Sequence, residues 1–170
     1  SGPQATVGEV LTPVTSIVSG EELPAFLEGS AKQPVAFQFL ATEATWQRGK
    51  VLGIAFSKTH DDHCYLPLSG EKQSWPEPLV RWLADPEARK LAHDGKTQMV
   101  LADHYGMTLD GLEFDTLIAA YLVSGGRWKL TLENTALTLL GLELPPLTDE
   151  KGKRREIYSL PTDWTEEVLA

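Results

Sequence analysis

The sequence predicts an α/β domain: a mixed sheet that begins as an antiparallel meander, continues by α/β alternation and is flanked by helices. Two observations predict it. Between residues 35 and 68, three apolar stretches keep the two-residue period of strands and are joined by short polar links. From Pro76 onward the period changes, and helical patterns alternate with short strands, an order that builds a sheet covered by helices. The chain of 170 residues suits one domain and can bury a core.

The elements follow in order. Residues 1–20 are rich in Ser, Thr, Val and Pro and read as an extended lead-in, leaving 21–170 as the domain proper. Ser19 can cap a helix whose first turn carries Glu21 and Glu22 and whose apolar face is Leu23, Phe26 and Leu27, with Gly29 ending it. Strands are expected over Val35–Leu40, Lys50–Ser57 and His63–Leu68, with Pro67 confined to an edge or a strand end. Leu79, Val80, Trp82 and Leu83 share a helical spacing within Pro76–Asp85. A short strand over Lys90–His93 precedes a helix over Thr97–Tyr105 that stops at Gly106. Leu112 and Phe114 mark another short strand. Asp115 caps a helix over Thr116–Val123, and Gly141 closes one over Thr131–Leu140. Residues 143–162 read as a loop, and Trp164–Ala170 as a last helix. About five strands result, with Val35–Leu40 inside the sheet and Phe37, Phe39, Leu117, Tyr121 and Leu137 in the core.

Composition excludes several classes. No apolar run approaches the ~20 residues of a membrane span, and the N-terminus shows no basic segment followed by an apolar one. Cys64 is the single cysteine, so an internal disulfide and a thiolate zinc site are both excluded, and a reducing cytoplasm is the expected compartment. Net charge is −9 and the pI about 4.9. Such a chain repels a polyanion overall, and its one basic cluster, Lys151–Arg155, reads as a solvated loop.

Three segments carry a resemblance: "VAFQFLAT", "LAHDGKTQMVLADHYGMTLDGLEFDTLIAAYLV" and "LTLENTALTLLGLEL". Their order and spacing, with the Phe114-Asp115-Thr116 helix start, resemble the 3′–5′ proofreading exonuclease domain of family A DNA polymerases (DNA polymerase I). That superfamily also holds ribonuclease D and the Werner-type exonucleases. The resemblance implies a ribonuclease H-like fold. It also implies a covalently linked polymerase domain, contact with DNA through that parent enzyme, and a place in DNA replication and repair. Active relatives hold two Mg²⁺ or Mn²⁺ ions with four carboxylates, because hard cations want anionic oxygens and two close cations need several negative charges.

Carried over position by position, the family's Asp-x-Glu at the end of the first strand falls on Leu40 and Thr42. A one-residue slip puts Glu43 at the Glu but Ala41 at the Asp. In the second motif, Asp94 stands at an Asn, Lys96 matches a Lys, and Gln98 replaces the third Asp. Asp115 matches the family's Phe-Asp-Thr, where it supports a helix start. The fourth ligand belongs to a late helix with a Tyr four residues before it. The chain reaches Ala170 without that pair, so it reads as truncated before this motif and before the polymerase domain. The expected function is therefore a degenerate exonuclease domain with no metal, no cofactor and no catalytic residue of its own. Leu40, Thr42 and Gln98 are its altered ligand positions, and Glu43, Asp94, Lys96 and Asp115 its remnants. As an isolated domain it should bind DNA weakly and meet no membrane. Two alternatives remain: a working two-metal exonuclease using Glu43, Asp94, Asp115 and an acid beyond Ala170, and an acidic protein-interaction domain.

Other clusters read more plainly. His60, Asp61, Asp62 and His63 lie in a polar turn between strands. His93, Asp94 and His104 read as a cap and surface histidines. Trp75, Trp82, Trp128 and Trp164 read as packing residues rather than base-stacking platforms, and Trp46 lies near the mouth of the altered site. Gly125-Gly126 lacks the companions of a phosphate-cradling loop.

Overall fold

The computed structural model describes residues 16–42, 49–59, 61–68 and 75–144. Their elements are β1 (Ser16–Ile17), α1 (Leu23–Leu27), β2 (Val35–Ala41), β3 (Val51–Thr59), β4 (Asp62–Pro67), α2 (Glu77–Ala84), β5 (Lys90–Ala92), α3 (Gly95–His104), β6 (Leu112–Asp115), α4 (Thr116–Ser124) and α5 (Leu132–Leu140).

Six strands form one mixed sheet in the order β1-β4-β3-β2-β5-β6. β2, β3 and β4 make the expected antiparallel meander, and β5 and β6 extend it in parallel on the other side of β2. β2 is thus interior, as its apolar run implies. The sixth strand corrects the sequence reading: Ser16 and Ile17 pair in parallel with Cys64 and Tyr65. Two residues are too few to show a period, so no pattern could announce this strand.

Alternation sorts β2 onto two faces. Val35, Phe37, Phe39 and Ala41 enter the main core, with Ile54 and Phe56 of β3, Leu23 and Leu27 of α1, Leu79, Trp82 and Leu83 of α2, and Leu101 and Ala102 of α3. Phe37 meets Phe39 and Trp82 edge-on at 5.9 and 5.8 Å. Leu40 belongs to a second, smaller cluster with Tyr65, Leu52 and Ala55. Tyr65 lies flat across Gly53, where a Cβ would stand 2.0 Å from its hydroxyl, so only glycine fits there.

The core expectation fails on α4 and α5. Leu117 is half-buried, while Tyr121 and Leu137 are 56% and 52% exposed. The buried positions of these two helices are the small residues Ala120, Ser124 and Thr135. Both helices are apolar on more than one face, so apolarity alone could not select the inward one. Cys64 is 1% exposed, and burial pushes its thiol up to about 12, so it carries no reactive thiolate at neutral pH.

Lys90 is fully buried on β5. Its Nζ donates to Ala88 O at 2.7 Å and Asp85 O at 2.9 Å and lies 4.6 Å from the Trp82 ring centre. Gly111, at φ +73°, passes close by; a Cβ there would come within 2.5 Å of Ala88 O. Burial lowers the Lys90 ammonium from 10.5 to about 8, against the opposing pull of Asp85 and Asp110. Between these two values Lys90 binds fewer protons in the folded chain than in the unfolded one, so its contribution to stability rises with pH across that window. From pH 9.0 upward the buried Cys64 thiol works the other way, because the unfolded chain loses that proton first. Urea titrations from pH 8 to 9 should therefore show stability rising in the wild type and not in Lys90→Met, and equal slopes in the two proteins would contradict the assignment.

Candidate active-site crevice

In sheets of this kind a ligand sits beyond the carboxyl ends of the parallel strands, where neighbouring connections diverge. Here that place lies between β2 and β5. The two strands pair only at Val35↔Lys90 and Ala36↔Leu91. Past this point β5 turns into α3, and β2 runs on without a strand partner on that side among the described residues.

The turn is specified locally. Asp94 adopts φ 64°, ψ 63°, the one non-glycine positive φ among the described residues. Its carboxylate accepts from Thr97 N at 3.2 Å and Thr97 Oγ1 at 2.6 Å, capping α3. α3 therefore begins at Gly95, two residues before the expected Thr97. Asp115 braces the same turn from the end of β6. It accepts from Asp94 N at 3.1 Å, Gly95 N at 2.7 Å and Leu117 N at 2.8 Å. It caps α4 as expected, and it also ties α4 to the start of α3, which its Phe-Asp-Thr context did not signal. Gly95 must be small, since a Cβ there would meet Leu112 Cδ2 at 2.4 Å and Asp115 Oδ2 at 3.1 Å.

α3 presents Gln98, Leu101, Ala102 and Tyr105 to the sheet, all buried. Gln98 is 0% exposed, and its Oε1 accepts the Phe39 N–H at 2.9 Å. One face further along, Tyr105 Oη accepts the Val51 N–H at 2.9 Å, beside the irregularity that shifts the β2–β3 register between Leu40 and Ala41. Trp75 covers this end of β2, with ring centres 4.8 Å from Tyr105 and 5.5 Å from Phe39.

The crevice thus brings Gln98 to Phe39. Leu40 packs on Tyr65 in the smaller cluster, and Thr42 Oγ1 accepts from Lys50 N at 3.1 Å. Lys96 is exposed at the outer side of α3. Glu43, Trp46, His60, Trp164 and Lys151–Arg155 lie outside the described residues. His93, Asp94 and His104 are engaged separately: His93 bridges Thr116 Oγ1 at 2.9 Å and Leu130 O at 2.8 Å, and His104 stands edge-on to Tyr105. Among the described residues no three His, Cys, Asp or Glu side chains come together as a metal site.

The profile of the family described as "DNA polymerase I, ribonuclease H-like domain" matches residues 37–138, more than half of the sequence. The chain belongs to this family. Its similar curated relatives include the DNA polymerase I of Mycobacterium leprae, 40% identical over 103 residues, which cover 61% of this chain and 11% of that protein. Another is the Chloroflexus aurantiacus DNA polymerase I, 28% identical over 158 residues, covering 87% of this chain and 15% of that one. Among solved structures, M. smegmatis Pol1 in complex with DNA primer-template and dNTP superposes with a TM-score of 0.61 at 29% identity, over 79% of this chain and 23% of that one. Brucella melitensis NrnC shares the fold, with a TM-score of 0.63 at 17% identity over 84% of this chain and 66% of that one. The ribonuclease H-like expectation is thereby met. The chain spans about a tenth to a seventh of the curated relatives it matches.

Replacing Asp115 by Ala removes the acceptor of three backbone N–H groups. Loss of a cap together with charge-assisted bonds should cost about 2–3 kcal/mol in urea unfolding, with Asp115→Asn recovering part of it. A loss near zero would show that the turn holds itself.

Proposed function

We propose that this chain is the exonuclease-like module of a longer DNA polymerase I and acts there as a folded platform without a two-metal nuclease centre. The observation that carries this reading is the crevice itself. Where the chemistry wants several carboxylates, β2 offers Phe39 and Ala41, and α3 offers a neutral amide whose Oε1 is taken by a backbone N–H. Mg²⁺ and Mn²⁺ hold poorly to such a set, so the residues present do not fit the metals that active relatives use. A ligand pair on β2 must face the same side as Gln98. In this reading the altered positions are Phe39 and Ala41 rather than Leu40 and Thr42, a slip opposite to the one that reaches Glu43. Asp94 and Asp115 have their carboxylates turned to backbone N–H groups, which supports structural roles for both.

The relatives' size supports a linked polymerase portion, and with it a role in replication and repair synthesis in the cytoplasm. DNA would then be met through that portion. With a net charge of −9, the domain alone should bind single-stranded DNA weakly and in a strongly salt-dependent way. No helix among the described residues is long and apolar enough to cross a membrane.

Calorimetry with millimolar Mn²⁺ is expected to give no saturable binding, and single-stranded DNA should not be digested above background. The Phe39→Asp, Ala41→Glu, Gln98→Asp variant should gain Mn²⁺ affinity at the expense of stability, since unpaired buried charge is costly. The Leu40→Asp, Thr42→Glu, Gln98→Asp variant should gain none. Saturable Mn²⁺ binding by the wild type, with digestion abolished by Glu43→Ala, would instead establish an active exonuclease.

A further inference from the structure

Helix α5 is poorly supported by the rest of the described fold. It has 9 residues, and Thr135 is the one that is fully buried. Leu132, Leu137, Leu139 and Leu140 are exposed, Leu140 to 69%, and Leu142 follows them just past the Gly141 cap. Among the described residues a single hydrogen bond ties residues 128–144 to the rest of the fold, from His93 Nε2 to Leu130 O at 2.8 Å. A helix this short is marginal in water by itself, because helices in proteins are held chiefly by packing an apolar face. Four outward leucines on so short a helix therefore call for a cover.

The nearest source of a cover is the chain itself. It leaves α5 at Gly141 and runs on past Leu144 through residues 145–170. That stretch carries Ile157, Tyr158 and Leu160, and then the helix that the sequence predicts over residues 164–170. At 100° per residue, Trp164, Val168 and Leu169 fall on one side of this helix and Glu166 and Glu167 on the other. Such a helix needs an apolar surface to pack against, and the leucines of α5 offer one that no described element claims. The lengths agree: α5 spans about 13 Å, and the connection over residues 145–163 spans roughly 25 Å as a flexible chain. That is room to turn and come back along α5. A segment tethered in this way acts at an effective concentration of about a millimolar. A second copy competes only at its bulk concentration, which favours the chain's own segment.

We propose that residues 157–169 fold back along α5 and cover its outward leucines, with Trp164 as the anchor. Both partners lie within this chain, so the fold-back stands or falls independently of the polymerase reading.

The test places p-benzoylphenylalanine at position 140 of the 170-residue chain and maps the photo-crosslink by mass spectrometry. The expected product is intramolecular, to residues 157–169, with a yield independent of protein concentration. Hydrogen exchange gives the second readout. Trp164→Asp should speed exchange of the Leu137 and Leu140 amides about tenfold and leave the Phe37 amide as slow as before, which shows that the sheet is intact. Trp164→Phe should keep the slow exchange. The proposal is overturned by a crosslink to a second copy, by crosslinks confined to residues 1–144, by no crosslink, or by exchange in α5 that is indifferent to Trp164→Asp.

Discussion

The end of the central strand depends on one hydrogen bond, from the Phe39 N–H to Gln98 Oε1. Val35 N–H reaches Arg89 O across the parallel seam, and every second residue of β2 turns its N–H the same way. After Ala36 the seam opens, and the Phe39 N–H would be buried with no strand beside it. An orphaned buried donor costs about 1–3 kcal/mol. Gln98 removes that cost and fastens α3 to β2. Tyr105 does the same for Val51 where the β2–β3 ladder slips. Two side chains seven residues apart on one helix thus complete the backbone pairing of two strands.

This arrangement explains why the crevice can be apolar and still be specific. Carboxylates facing one another there would need cations to coexist, whereas an amide on an N–H and a phenol on an N–H are neutral pairs that need none. Phe39 and Ala41 then pack as core residues under Trp75. The acids that remain nearby serve the chain's own geometry. Asp94 caps α3 from a left-handed conformation, and Asp115 holds that turn against α4. The chain thus joins a ribonuclease H-like architecture to neutral side-chain-to-backbone pairs at this end of β2.

Much of this was legible in the sequence because it is written in periodicity. The two-residue period of Val35, Phe37 and Phe39 gave an interior strand, and the helical spacing of Leu79, Trp82 and Leu83 gave α2. Three things were not legible, each for a physical reason. β1 is held by two paired residues and carries no pattern. That the Phe39 N–H meets Gln98 was not legible either, since a slip of one residue turns every side chain of β2 to the other face. Tyr121 and Leu137 looked like core because α4 and α5 are rich in apolar residues throughout, yet the inward sides of these helices are Ala120, Ser124 and Thr135. Asp115 was read as a cap, which it is. Its second task, closing the turn before α3, needed the long-range contact to be seen.

The most direct test of this account is amide hydrogen exchange at Phe39. If Gln98 closes the crevice without metal, the Phe39 amide should be protected as strongly as the core of β2. Millimolar Mg²⁺ or EDTA should leave that protection unchanged, and Gln98→Leu should remove it while Phe37 stays protected. Protection that appears only with Mg²⁺, or that survives Gln98→Leu, would contradict it.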